Sequence, residues 1–239
     1  MSYSHGFEYE HGYPIAARAV GAERAAFIRR TYGHLAGAIL AFVALETLLI
    51  HVPGMEQNVI LPMLRGSWLL VLLAFMVVGW IAQIWAQSDT SRAMQYAGLS
   101  LYVVAEAVIF LPLIYLAANW AQDPNVIPIA GIMTLAVFGG LTMAVFVTGR
   151  DFSFLRSALS VGTWIALGLI AAACFFPLNL GMLFCFAMVA LMSGYILYYT
   201  SNVLYHYRTD QHVAAALALF ACIATLFWYI LQIMMQARR

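Results

Sequence analysis

The stretch Phe146-Val-Thr-Gly-Arg-Asp-Phe-Ser-Phe-Leu-Arg-Ser157 decides how this chain is read. A strongly apolar run stops for Thr148, Gly149, Arg150 and Asp151, then resumes with Phe152-Ser153-Phe154-Leu155. Either a charged site lies inside an apolar medium, or two membrane-crossing helices meet at a short turn. Composition favours the turn. The 239 residues are 64% hydrophobic and only 9% charged, with a mean hydropathy of +0.89. A soluble domain carries roughly 25% charged residues, so too few remain here to coat a water-facing surface. The medium is lipid, and the Arg150–Asp151 turn belongs at its boundary.

A helix crosses a bilayer with about 20 apolar residues and satisfies its own backbone hydrogen bonds while doing so. Seven stretches qualify, at 33–52, 68–87, 96–118, 126–148, 157–176, 181–204 and 212–235. The expectation is an all-α integral membrane protein, a seven-helix bundle over residues 32–239 preceded by a polar tail, 1–31. Turn chemistry marks the joints: His51-Val52-Pro53-Gly54, Gln122-Asp123-Pro124-Asn125 and Pro177-Leu178-Asn179. Trp68, Trp80, Trp85 and Trp120 fall near span ends, where aromatic belts sit. Pro112 interrupts the third span and is expected to kink it.

All 11 basic residues are arginine. Placing the N-terminus in the cytoplasm puts Arg18, Arg24, Arg29, Arg30, Arg92, Arg150, Arg156 and Arg208 on the inner side and leaves Arg65, Arg238 and Arg239 outside. The excess of basic residues inside predicts that orientation, with the C-terminus outside. A net charge of +1 offers no field to recruit nucleic acid. Cys174, Cys185 and Cys222 lie in apolar runs with no zinc spacing and read as small hydrophobes. No hydrolytic triad, zinc-protease motif, phosphate loop or haem-attachment motif is present, although His34, His51, His206 and His212 stand at span ends. The expectation is a non-enzyme without metal or cofactor.

The tail divides in two. His5, Glu8, Glu10 and His11 form a polar cluster without a defined ligand spacing, while Ile15–Arg30 has the pattern of an interfacial amphipathic helix, with Ile15, Val20, Phe27 and Ile28 toward lipid. The tail is the expected contact surface for a membrane-protein partner.

Ionisable groups at bilayer depth are costly and are functional candidates by default. Glu46 falls near the outer end of the first span and Glu106 close to the middle of the third. Neither has an arginine four residues away on its own helix. Each is read either as a neutral carboxylic acid bonded to another helix or as a titrating gate. Partners for Glu106 are sought among Thr134, Thr142, Tyr198, Tyr199, Ser201, Asn202 and Thr225. Gly33 and Gly37, a GxxxG pair, and the adjacent Gly139 and Gly140 are the expected close-packing points between helices.

These features together resemble the Bax inhibitor-1 family, its bacterial branch in particular. Residues 136–155, AVFGGLTMAVFVTGRDFSFL, are similar to the family's fourth-span signature, in which paired small residues precede a polar turn with Arg150, Asp151 and Ser153 in the motif positions. YVVAEAVIFLPLI, FFPLNLG, YILYYTSNVLYHY and AFIRRTYGHLAGAIL resemble, in turn, the third span, the fifth-to-sixth connection, the end of the sixth span and the start of the first. The resemblance implies seven helices, one of them central and surrounded by the others, a cytoplasmic N-terminus and a bacterial inner-membrane location. It also implies either a pH-sensitive calcium leak or modulation of a membrane-anchored AAA protease through the tail.

In relatives the leak is assigned to a proton-sharing pair of acids late in the sixth and seventh spans. Two close carboxylates cannot both ionise cheaply. Here those positions are Tyr199 and Cys222, and both carboxylates are missing. Calcium takes six to eight oxygen ligands, carboxylates among them, so the inherited mechanism does not transfer directly. The sequence therefore favours an interaction or accessory-subunit role in a membrane complex. The alternative is a calcium or proton leak rewired around Glu106, with Glu46, Tyr199, Cys222 and Asn202 as its other candidate residues.

Overall fold

The computed structural model describes residues 14–66, 68–88, 91–120, 125–176 and 180–237. Seven long helices cross the bundle: α1 (Gly21–Ile50), α3 (Trp68–Ala86), α4 (Arg92–Trp120), α5 (Val126–Thr148), α6 (Leu155–Phe175), α7 (Gly181–Tyr205) and α8 (His212–Ala237). A short helix, α2 (Leu61–Arg65), follows one π-helical turn at Glu56–Ile60 and fills the α1–α3 connection. All seven long helices are long and apolar enough to span a membrane. Among the described residues the only strand-like pairing is an isolated antiparallel bridge between Ile15 and Arg208.

The centre is α8, which packs against α1, α3, α4, α5 and α7. Its sequence dictates that position. HVAAALALFACIATLFWYILQIMMQA has apolar residues on every face and no charge after His212, and a helix without a polar side is buried on all sides. Its alanines let neighbouring backbones come close. Ala215, Ala216, Leu219, Leu226 and Leu231 are wholly buried. The peripheral helices keep an apolar surface outward, with Trp80, Ile132, Val147, Trp164 and Leu183 all well exposed, as lipid-facing side chains should be. Aromatic rings knit α1, α4 and α8: Phe42 meets Phe110 edge-on at 5.1 Å, and Phe110 meets Trp228 edge-on at 4.9 Å.

Some expectations need correction. No separate interfacial helix spans Ile15–Arg30. Helix α1 begins at Gly21 and runs unbroken to Ile50, while Ile15 and Ala16 are tied to the α7–α8 loop, where the Ala16 amide donates to the Tyr207 carbonyl at 2.8 Å. That contact satisfies a backbone amide at Ala16, which is wholly buried. The helix α4 continues through Pro112 to Trp120. The expected glycine contacts also fall elsewhere. A Cβ at Gly33, Gly37, Gly139 or Gly140 would meet no atom within 4 Å. The close approach is at Gly98 of α4, where a Cβ would lie 2.5 Å from the Ala82 carbonyl oxygen and 2.6 Å from the Ala86 nitrogen of α3. The turn residues 122–124 and 177–179, and the polar cluster His5, Glu8, Glu10 and His11, lie outside the described residues.

The quoted loop is a short turn between α5 and α6. Gly149 closes α5 with φ of +59°, the left-handed conformation that glycine adopts without a Cβ penalty, and its amide donates to the Val145 carbonyl at 2.9 Å. The loop then docks onto the end of α7. The Tyr205 hydroxyl donates to the Gly149 carbonyl at 2.5 Å, and the Phe152 amide donates to Ser201 Oγ at 3.1 Å. At the same end of the bundle Arg24 donates to the Leu204 carbonyl at 3.1 Å, and the Thr209 hydroxyl donates to Glu23 at 2.8 Å. The start of α1, the α5–α6 loop and the α7–α8 loop therefore form one connected face, called here the N-terminal face.

Candidate functional site

Two cavities enter the bundle from opposite faces and share one residue, Thr225 of α8. The first, about 510 Å³, opens on the face where α6 ends, α7 begins and α8 ends; Cys174, Gly181, Gln232 and Gln236 line its outer part and Glu106 its depth. The second, about 340 Å³, starts between Gln83, Gln87, Tyr207 and Ala214 on the N-terminal side and runs in past Tyr199 and Cys222. Thr225 stands midway along α8, so the two end at about the same depth.

At that depth Glu106 is buried, 4% exposed. Its polar neighbour comes from its own helix: Tyr102, one turn back on α4. An i, i+4 spacing stacks the two side chains on one face of α4, and that face packs against α8. Tyr102 in turn lies edge-on to Phe220 of α8 at 6.2 Å. The group can therefore accept a hydrogen bond when ionised and donate one when protonated, beside a cavity floor carrying the Thr225 hydroxyl. That hydroxyl donates back to the Ala221 carbonyl at 2.9 Å and keeps its lone pairs free. Further out, the Cys185 thiol donates to Gln232 Oε1 at 3.4 Å, giving the first cavity a polar wall.

The structure places the other sequence candidates as follows. Tyr199 and Cys222 line the same cavity, so the positions that align with the family's acid pair do come together, but as a phenol and a thiol. Asn202 is buried at the end of α7, and its carbonyl accepts the His206 and Tyr207 amides at 2.8 and 2.9 Å, a helix-ending role. Thr134 and Ser201 spend their hydroxyls on the carbonyls of Ala130 and Tyr198. Asp151 and Ser153 form an Asx turn, the Ser153 amide donating to Asp151 Oδ1 at 2.9 Å, while Arg150 is exposed. Glu46 lies in a different cavity from Glu106. Gly33 and Gly37 line an open groove between α1 and α4 together with Arg29 and Arg30.

Sequence reasoning missed three features. Tyr102 is four residues before Glu106, an i, i+4 spacing that puts both on one helix face. Thr225 appeared only as one polar residue among several. His34 and His212 come together at ring centroids 5.0 Å apart, with the His34 ring also bonded to the Arg30 carbonyl and, at 3.1 Å, to the Tyr96 hydroxyl; three helices build that contact, and no local spacing announces it. Among the described residues no group of three or more His, Cys, Asp or Glu side chains could hold a metal ion.

Residues 24–239 match the family model described as inhibitor of apoptosis-promoting Bax1. The chain belongs to the Bax inhibitor-1 family. Similar proteins match it over most of their own length. An uncharacterized protein of Pseudomonas aeruginosa is 29% identical over 210 residues, 86% of this chain and 87% of that one. Protein lifeguard 4 of Mus musculus is 25% identical over 226 residues, covering 94% and 90%. A BI1-like protein of Arabidopsis thaliana is 26% identical over 229 residues, covering 94% and 86%. The family member described here is a multi-pass membrane protein with a central α8.

Proposed function

We propose that this Bax inhibitor-1 family protein is a slow proton leak whose gate is Glu106. The observation that supports the reading is the shared floor of the two cavities: one reaches Glu106 from the C-terminal face, the other reaches Cys222 and Tyr199 from the N-terminal face, and both touch Thr225. A dry, close-packed core would have favoured a purely scaffolding role. The donor set suits a proton better than calcium. One carboxylate lines the first cavity and none lines the second, whereas calcium seeks several. Glu106 would take a proton from one side, hand it past Tyr102 and the Thr225 hydroxyl, and reset. Tyr102, one turn from Glu106 on the same helix, is the nearby hydroxyl that such a group would use.

The test is proton flux into liposomes that contain the purified protein and a trapped pH-sensitive dye. Glu106→Gln keeps the shape and removes the titrating group, and is expected to cut the flux at least about tenfold. An unchanged flux rejects the gate.

A cytoplasmic N-terminus in a bacterial inner membrane goes with this reading, supported by Arg24 and Arg208 lying on the N-terminal face beside the Arg150 loop. A reporter fused after Arg239 that functions only outside the cytoplasm should be active.

An interaction role through the tail is the second reading. Its support is the anchored root of the tail: the Thr209 amide donates to the Pro14 carbonyl at 3.2 Å, which ties Pro14 to the α7–α8 loop on the N-terminal face. Removing residues 1–13 should abolish co-purification of a membrane-protein partner and leave any flux intact.

A further inference from the structure

Apart from the two cavities at Thr225, a third of about 590 Å³ lies between α1, the π-helical turn, α4, α5 and α8. Its walls are mostly apolar, with Phe42, Ile114, Ile127 and Phe227 among them, and carry polar groups from Thr47, His51, Glu56, Tyr115 and Asn119. Glu46 stands inside it. That residue is 7% exposed, and neither of its carboxyl oxygens has a hydrogen-bond partner. Each buried oxygen without a donor carries a desolvation penalty that something must offset.

The surrounding groups do not supply the missing charge. From the end of α1, His51 bonds through Nδ1 to the Thr47 carbonyl at 2.7 Å. From the π-helical turn, Glu56 has the same sign as Glu46, and its Oε1 accepts the Tyr115 hydroxyl of α4 at 2.5 Å. The residues that α5 and α8 contribute, Ile127 and Phe227, are apolar. Among the described residues no arginine lines the cavity, and the chain contains no lysine. The ligating groups present do not amount to a metal site among the described residues.

What remains is a mostly apolar chamber with one unpartnered acid at its buried end and a second, exposed acid at its mouth. A chamber of this kind fits a molecule with a bulky apolar body and a single positive charge. The body gains from area removed from water, beside Phe42 and Phe227, and the charge from the Glu46 carboxylate. The exposed Glu56 raises the local concentration of cations at the opening. We propose that this cavity is a binding site for lipophilic organic monocations, with Glu46 as the counter-charge that a proton occupies when the site is empty. Binding then exchanges one proton for one cation.

The experiment uses the full chain in lipid nanodiscs and tetraphenylphosphonium as the probe. Equilibrium dialysis should show one saturable site that weakens on acidification. Glu46→Gln should lower the affinity at least about tenfold, a loss of about 1.4 kcal/mol, while Glu106→Gln should leave it unchanged and so separates this site from the leak. If Glu46→Gln does not fold, the wild-type protein gives the answer. Labelling of Glu46 by dicyclohexylcarbodiimide, mapped by mass spectrometry, should be slowed by the phosphonium. Saturable binding that survives Glu46→Gln overturns the proposal. So does the absence of saturable binding to folded wild type, or carbodiimide labelling at Glu46 that the phosphonium does not affect.

Discussion

The carboxylate of Asp151 lies 2.9 Å from Nε2 of His206, so the turn between α5 and α6 is clipped to the end of α7 by a charged contact as well as by backbone bonds. Partial burial pushes the Asp151 carboxyl up, but the Ser153 amide and the His206 ring, both of which bond the ionised form, outweigh it and hold it below the usual aspartate range. A depressed folded value means that the clip contributes above the ordinary range of the unfolded chain and is lost as pH falls through the lowered value. The side chains are 47% and 42% exposed, so the contribution is at most about 0.5 kcal/mol. Asp151→Asn should therefore leave thermal stability nearly unchanged and speed hydrogen exchange at the Phe152 and Ser153 amides. Wild type should acquire the same fast exchange only in strong acid. Equal exchange in both proteins at neutral pH would show that the clip does not order the turn.

Gly98 and Gly37 make opposite predictions. A methyl group at Gly98 collides with backbone atoms of α3, which cannot rotate away. Gly98→Ala should therefore separate α3 from α4 and cost about 1–3 kcal/mol. A methyl group at Gly37 meets nothing within 4 Å, and alanine is the better helix former by up to about 1 kcal/mol. Gly37→Ala should hold or raise the thermal midpoint in the same detergent. A lower midpoint for Gly37→Ala than for Gly98→Ala would contradict the packing described.

The contrast shows what the sequence can and cannot supply. The helix spans were legible because a bilayer demands long apolar runs, and ends such as Val126, Thr148, Gly181 and His212 fall on the expected residues. The all-round apolar pattern of α8 accords with its burial. Which glycine faces a neighbour was not legible. GxxxG is a local pattern, whereas the rotation of α4 that turns Gly98 onto Ala82 is set by the whole bundle. The Glu106 environment was half legible: an acid at mid-span stands out in any apolar run, but the cavities that reach its depth exist only once α3, α6, α7 and α8 are assembled around it. The short α2 went unseen because Leu61-Pro62-Met63-Leu64-Arg65 is too brief to show a period.

Arg24 holds the start of α1 to the end of α7 by its bond to the Leu204 carbonyl, with its guanidinium 5.7 Å from the centre of the Tyr205 ring. A charge-assisted bond of this kind is worth about 1.5–3 kcal/mol when partly buried. Arg24→Ala should lower the thermal midpoint, and Arg24→Lys should recover only part of it, because an ammonium lacks the planar fork that can bond and stack together. Full rescue by lysine would reduce the contact to simple charge.

Thr225 is the residue on which the leak reading can be separated from a structural one. Its hydroxyl already bonds the Ala221 carbonyl within its own helix, so deleting it orphans no partner from another element. Thr225→Val keeps the side-chain outline and removes the one hydroxyl common to both cavities; Thr225→Ser keeps the hydroxyl and trims a methyl. If protons cross at this level, the valine variant should conduct less than wild type by at least about tenfold, since a relay group has been removed, while the serine variant conducts as well or better. If the residue only packs, the order reverses: serine leaves a small void and loosens the bundle, while valine fills the same space and conducts like wild type. Dye-reported flux in liposomes, beside the thermal midpoints of the two variants, distinguishes these outcomes, because the relay role moves flux with the midpoint unchanged and the packing role moves the midpoint first.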